Sequence, residues 1–489
     1  MASIPLLAGV YANARPDFRT AYPVNLVPVP MGTGISGAYL RPADGFVAQA
    51  TGPGVCRGGI NWNGALYRVM GSKLVRIDPF GGYTIIGDVG IGGPVAMDYG
   101  FDYLAINSGT QLFLSNGTTV TPVSDPDIGV VNDVVWIDGY YMTTDGEFLV
   151  VTELTDPFSV NSLKYASSEA DPDPIIALQR LRNEVAALNR YTIEYFDNVG
   201  GIRFPFARIE GAQVQKGAIG SRACCVFGEA IAFVGSGRNE SPGIYLASNA
   251  NANKISTREI DLTLASYTET ELSQTVVEGR NDGAHDHLYI HLPDRTLVYD
   301  HAATQAAGAP VWFILTSSLD GFAQYRARYM VWAYDRWNVG DVTTGAYGYM
   351  TDTTGAHFGD HVRWEFTTPI AYNEARGVVF NQLELVALTG SNGAIGAPAA
   401  QGPFPPPGGS GPPTPGYVEP TIATSYSTDG ISWSVDRYIK AGRQGERTKR
   451  LAWFHQGAMR TWRVQRFTGD TRSNLAFAGL EATIEPLAY

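Results

Sequence analysis

Residues 95–123 read VAMDYGFDYLAINSGTQLFLSNGTTVTPV, and Asn116-Gly117 falls between the apolar run LFL and the β-branched run TTV. Asn-Gly supplies positive φ at little steric cost, so the pair marks a tight β-hairpin. The preceding segment, NWNGALYRVMGSKLVRI at 61–77, reads as strand, turn, strand, and GGYTIIGDV at 81–89 adds another strand. The following one, VVNDVVWIDGYYMTTDGEFLVVTEL at 130–154, repeats the rhythm with Asp138-Gly139 and Asp145-Gly146. Units of roughly 35–50 residues, each of about four strands, are the period of a propeller blade. About six such units fit before Asp352, which makes residues 57–352 a β-propeller of about six blades in an all-β protein.

Composition agrees. Of 489 residues 44% are hydrophobic, with 56 Gly, 29 Pro and 26 Tyr, and long apolar runs of helical period are scarce. The net charge of −12 is the wrong sign for a protein whose main task is gripping nucleic acid by counterion release. A wall past which DNA slides is a different case, because an acidic or neutral lining does not hold phosphates. Cys56, Cys224 and Cys225 form no disulfide framework and fit a reducing cytosol. The apolar patch at 4–10 has no basic flank and is too short to span a bilayer, so the chain is expected to be made and kept soluble in the cytoplasm.

Residues 1–56 read as an extended arm. PVNLVPVP at 23–30 has proline too often for a central strand and belongs on a surface or an edge. Residues 175–196, IIALQRLRNEVAALNRYTIEYF, are rich in helix formers yet sit in phase with the blades, so strands are expected there. Residues 255–274 are the expected short helix. After Asp352 the pattern changes. VRWEFTT at 362–368 alternates strictly, and VFNQLELVAL at 379–388 continues it. Pro or Gly fills 12 of the 15 positions 402–416, a composition that builds a loop and not a core. Residues 353–489 therefore read as a β-sandwich-like domain interrupted by a Pro/Gly-rich insertion at about 394–418.

Three segments in the middle of the chain, YTIEYF at 191–196, VQKGAIG at 214–220 and HLYIHLPDRTLVYD at 287–300, carry a resemblance. Further pieces follow in the same order: Asp17-Phe18, Pro23-Val24-Asn25 and Ala38-Tyr39-Leu40-Arg41 near the start, Thr428-Asp429-Gly430 and an arginine-rich strand pair near the end. Together they resemble the tail hub or nozzle proteins of short-tailed double-stranded DNA phages, also called packaged-DNA stabilisation proteins. The proline-rich insertion departs from that pattern. The resemblance implies a structural virion protein of the tail, made in the host cytoplasm, with neither a cofactor nor a small-molecule substrate. It implies a homohexameric ring below the portal and its adaptor, or head-to-tail connector. That ring would extend the DNA channel, retain packaged DNA that passes without sequence specificity, and dock tailspikes or fibres and a needle or plug.

Other motifs are weaker. GTGISG at 32–37 matches a dinucleotide fingerprint but lies among prolines without the strand and helix that motif needs. His287 and His291 share a strand face roughly 13 Å apart, beyond joint ligation of one ion. His285 and His287 are about half that apart and have no cysteine nearby, so no metal site is expected. STDGISW at 427–433 is similar to the Asp box of sialidase-like propellers, but Asp429 and Gly430 are adjacent, so a tight turn beside a buried Trp433 is the plainer reading. The alternative function is a propeller enzyme acting on host surface glycans, with Tyr325, Tyr329, Trp332, Tyr334 and Trp337 stacking sugar. No catalytic residues are expected: the sequence holds neither a GxSxG elbow nor a Walker-type loop.

One charged stretch stands out. Arg437, Lys440, Arg443, Arg447, Lys449, Arg450, Arg460, Arg463 and Arg466 are opposed within the stretch by Glu446 alone, and Trp453, Phe454 and Trp462 interleave with them. Such a cluster docks an acidic partner, faces DNA in a channel, or lies solvated.

Overall fold

The structure, a computed structural model, describes residues 2–4, 6–12, 17–30, 37–154, 156–168, 171–201, 203–373, 376–390, 419–443 and 445–487. Residues 32–36 of the glycine motif and the whole 394–418 insertion lie outside the described residues. The chain forms two compact units. One comprises residues 48–302 and 323–350, the other residues 1–47, 303–322 and 351–489.

The first unit is a propeller, and its inner strands identify seven blades among the described residues, not about six. They are Cys56–Trp62, Ala96–Tyr99, Asp133–Ile137, Ile175–Leu181, Cys224–Phe227, Val276–Asn281 and Ala327–Ala333. Each packs beside the next, and the seventh packs beside the first, so the ring closes. The miscount has a topological cause. The seventh blade takes its outermost strand, Gly45–Thr51, from the opposite end of the sequence, next to Ala346–Thr351, so a scan for contiguous four-strand units does not find it whole.

The turns fall where they were read, although Asn116-Gly117 sits in a four-residue loop closed by Ser115 opposite Val120, with Gly117 alone of the pair at positive φ, 86°. Asp138 and Gly139 have φ of 49° and 91°, both positive, the geometry of a two-residue turn that matches strand twist. Residues 175–198 are three strands, Ile175–Leu181, Glu184–Asn189 and Ile193–Asn198. Val185, Ala186, Ala187 and Leu188 are buried on both faces between neighbouring blades, and that burial overrides their helix propensity. The expected helix is two short ones, Arg258–Leu264 and Glu269–Ser273, the second opened by a Thr268–Glu271 capping box. A third helix, His301–Ala307, was missed in the sequence although Asp300 precedes it and Gly308, at φ 68°, follows it.

Carboxylates couple the blades. Asp98 Oδ2 accepts from the Trp136 amide at 2.7 Å, Asp133 Oδ2 from Leu178 at 2.9 Å, and Glu278 from Tyr329 and Met330 at 3.0 and 2.7 Å. In each case an acid on one inner strand receives the backbone of the next, which satisfies amides the propeller's own ladders leave over. Asp98, Asp133, Arg180 and Arg222 line a cavity of about 210 Å³ there.

The second unit is a sandwich. Its first sheet runs Leu26–Pro30, Ala38–Pro42, Phe477–Pro486, Val378–Ala387, Leu451–Phe454, and its second runs Arg363–Thr367, Trp462–Asp470, Thr421–Ser427, Arg437–Lys440. The proline-rich strand is an edge, as its missing donors require. Trp364, Phe366, Phe380, Phe467 and Phe477 fill the core between the sheets. Asn25, in the left-handed region at φ 51°, donates to the Thr316 and Arg363 carbonyls at 2.9 and 2.6 Å and accepts from the Thr316 amide at 3.0 Å. This explains the Pro23-Val24-Asn25 segment: an asparagine tolerates that backbone and satisfies three groups from distant parts of the unit.

Candidate functional site

The basic stretch is gathered where two edge strands meet. Arg437–Lys440 ends the second sheet and Leu451–Phe454 ends the first. The indole N–H of Trp453 donates to the Arg437 carbonyl at 3.0 Å, and Arg437 Nη1 donates to the carbonyls of Phe454 and His455 at 3.2 and 2.7 Å. Both strands alternate, so each shows one side chain inward and the next outward. Trp453 is buried while Tyr438 and Phe454 stand exposed at 66% and 56%. An open double edge with outward aromatics is a surface built to be covered or guarded.

The cations have different fates. Lys440 lies 3.5 Å from Glu419, and Lys449 lies 3.8 Å from both Glu419 and Glu446. Arg450 grips Glu384 with both Nε and Nη2, which holds the exposed guanidinium's pKa up and the Glu384 carboxyl below its ordinary range. Arg466 sits over Trp433 at 4.4 Å, with Asp436 at 3.6 Å, and Trp433 is half-buried. Arg437, Arg443, Arg447 and Arg460 are exposed.

Arg463 corrects the reading of the stretch as one surface. It is 1% exposed. Its guanidinium lies 3.8 Å from the ring centre of Tyr426 and 4.4 Å from that of Phe380, donating to Gln465 Oε1 and to the Gln456 carbonyl. Burial pulls its pKa down to about 10. Sequence also undercounted the acids, since Glu384, Glu419 and Asp436 come from outside the stretch.

In the propeller the sugar-stacking aromatics have other employment. Tyr325 is buried against the His291 ring at 6.0 Å, Tyr334 donates to the Ile77 carbonyl at 2.7 Å, and Trp332 packs on Trp337 at 5.5 Å. The histidines do come together, though not as spaced in sequence: His285 and His287 meet Asp300. Asp300 was invisible to spacing because it comes from the neighbouring strand. All three cysteines are free thiols, and burial pushes Cys224 up to about 12. Among the described residues no helix is long and apolar enough to cross a membrane.

Comparison with known proteins adds the following. Residues 2–355 match a family described as bacteriophage P22 Gp10, beta-propeller, and residues 363–485 one described as bacteriophage P22 Gp10, beta-sandwich. The chain is 26% identical over 506 residues to the tail hub protein gp10 of Salmonella phage P22, covering 99% of both. Among solved structures it is similar to PorZ of Porphyromonas gingivalis (TM-score 0.36, 10% identity, 62% of this chain and 37% of that one). It is also similar to the Neurospora crassa Pan2 WD40 domain (TM-score 0.41, 10% identity, 63% and 93%).

Proposed function

The chain belongs to the bacteriophage P22 Gp10 family, and from that premise we propose that it closes a phage tail as a ring of identical subunits, with the sandwich edge as a docking face. It is a structural tail hub protein, a component of the virion tail. In the proposal six copies form the ring below the portal and its adaptor, lengthen the DNA channel, retain the packaged genome and carry tailspikes and a plug. A closed ring needs a heterologous interface, in which one patch meets a different patch on the next copy.

The observation that carries the docking role is the double edge at Arg437–Lys440 and Leu451–Phe454, with Tyr438 and Phe454 exposed among Arg437, Lys440 and Arg450. Aromatic and arginine side chains together are the composition of interface centres. A chain of net charge −12 offers acidic surface for these cations to meet on a neighbouring copy. The same net charge suits a conduit through which phosphates slide without being held. Asp98, Asp133 and Glu278 are engaged on backbone amides of the next blade, which supports a structural use of the propeller's acids over glycan cleavage.

The test is assembly. Full-length protein mixed with portal and adaptor should give six-fold rings by electron cryo-microscopy, and Lys440→Glu combined with Arg450→Glu should stay folded yet fail to join. Rings formed equally well by the charge-reversed chain would remove the edge from the interface. Wild-type chains that bind the neck without rotational symmetry would overturn the ring.

A further inference from the structure

We propose that His285, His287 and Asp300 form a binding site for a divalent transition-metal ion of the zinc class inside the sixth blade of the propeller. The site follows from strand geometry. His287 lies directly opposite Asp300 in the register between Asp286–His291 and Thr296–Asp300. His285 is two residues before His287, so the two imidazoles stand on the same face, their rings stacked 5.1 Å apart. One cross-strand pair and one same-face neighbour thus bring two nitrogens and a carboxylate to a single point.

The distances suit an ion. His285 Nδ1 lies 2.5 Å from Asp300 Oδ2, His287 Nε2 lies 3.4 Å from the same oxygen, and one ligand atom from each residue lies within 4.8 Å of the others. Tetrahedral zinc holds nitrogen and oxygen ligands at about 2.0–2.2 Å, which puts ligand atoms roughly 3.3 Å apart. His287 and Asp300 already stand at that separation. His285 needs to draw back by less than roughly 1 Å, and it belongs to the turn after Asn281 and not to the middle of a strand.

The surroundings point the same way. Asp300 is fully buried and His287 nearly so, and a carboxylate buried between two imidazoles is a donor set that a +2 ion neutralises and orders. The Tyr289 hydroxyl faces His287 Nδ1 at 3.5 Å and accepts from Arg280 Nη1 at 3.3 Å, which leaves Nε2 directed at Asp300. Metal-bound histidines commonly have their second nitrogen fixed in this manner. Asp282 holds the His285 backbone amide at 2.8 Å and lies 3.7 Å from Arg280, so the arginine's charge is shared with an acid outside the triad. Three protein ligands leave a fourth position for water, and the ion would pin the 282–285 turn to the strands Asp286–His291 and Thr296–Asp300.

Full-length protein, stripped with a chelator and dialysed, would be titrated with zinc chloride by calorimetry, and with cobalt chloride while the visible absorption of tetrahedral Co²⁺ is followed. The expected result is one ion per chain, cobalt bands displaced by zinc, and a rise in the thermal midpoint on adding zinc. His285→Gln, at the rim of the site, should weaken zinc binding by more than the roughly 10–100-fold that loss of an outer partner costs. Asp300→Asn should abolish it. Because Asp300 is buried, that variant can lose its fold, and His285→Gln with unchanged circular dichroism decides the matter. A folded wild-type chain that binds substoichiometric zinc, or a His285→Gln chain that binds as tightly as wild type, would overturn the site.

Discussion

Asp133 receives the backbone amide of Leu178 at 2.9 Å, so a carboxylate on the inner strand of the third propeller blade is bonded to the inner strand of the fourth. Its other oxygen accepts from the Val134 amide and pairs with Arg222, on the approach to the fifth blade's inner strand. Three blades therefore converge on one buried acid. Burial pushes the Asp133 carboxyl up, while Arg222 and the two amides pull it down. Asp133→Ala leaves the partly buried Arg222 without its acid, and breaking a fully buried pair costs about 3–5 kcal/mol, which sets the upper end of the expected loss. A urea titration followed by tryptophan fluorescence should show the propeller transition at a distinctly lower midpoint. Asp133→Ala together with Arg222→Leu should recover a large part of that loss. An Asp133→Ala midpoint within error of wild type would remove the acid from the inter-blade coupling.

Acidification should loosen the sixth and seventh blades. His291 Nε2 lies 2.7 Å from Glu278, and its Nδ1 lies 2.8 Å from the Thr296 hydroxyl, an arrangement met by a neutral ring that donates to the acid and accepts from the alcohol. Burial holds the His291 pKa below its usual 6.5. Burial would raise Glu278, but the bond from His291 and the amides of Met330 and Tyr329 bring it below its ordinary range. Both folded-state values are depressed, so in both cases the unfolded chain binds protons first as pH falls. Stability should be level above about pH 7, decline below about 6.5 as unfolded histidine protonates, and decline further below about 4.5 as unfolded glutamate does. His291→Gln should flatten the upper part of the profile of thermal midpoint against pH. An unchanged profile would assign that window to other groups.

Arg463 should not tolerate lysine. Its fork bonds Gln465 and the Gln456 carbonyl while its plane lies between Tyr426 and Phe380, and an ammonium reproduces neither the fork nor the stack. Arg463→Lys should lower stability by about 2–3 kcal/mol, because a buried polar group is left with unmet partners. Arg460→Lys, three residues away and exposed, should fall within about 0.5 kcal/mol of wild type. Equal effects of the two substitutions in chemical denaturation would show that the buried stack carries no weight.

How far sequence reached follows from which interactions are local. The hairpins were legible because Asp138-Gly139 and Asn116-Gly117 place their signal within two residues, and VRWEFTT because alternation is a nearest-neighbour pattern. The strands at 175–198 were legible only through their phase with the blades, since local propensity pointed to helix. The seventh blade, the burial of Arg463 and the meeting of Asp300 with His285 and His287 depend on which strands lie side by side. Register alone brings those residues together, and one sequence does not print register. The acids that answer Arg450 and Lys440 were missed for the same reason, since Glu384 and Glu419 lie far from the charged run in sequence but beside it in space, whereas Asp436, the partner of Arg466, directly precedes the run.

Both units are discontinuous in sequence, and that sets an order of events on the ribosome. The strand Gly45–Thr51 emerges some 300 residues ahead of its partner Ala346–Thr351. Leu26–Pro30 and Ala38–Pro42 wait longer still, for Phe477–Pro486. A nascent chain can therefore form hairpins as they appear, but the propeller waits for Ala346–Thr351 and the sandwich for Phe477–Pro486. Such long-range pairing makes final closure the slow step and leaves early strands with open edges meanwhile. The prolines of PVNLVPVP stand in one of those waiting strands, where a missing donor hinders pairing with the wrong chain. A product truncated before Phe477–Pro486 would thus display edges that the full-length subunit pairs.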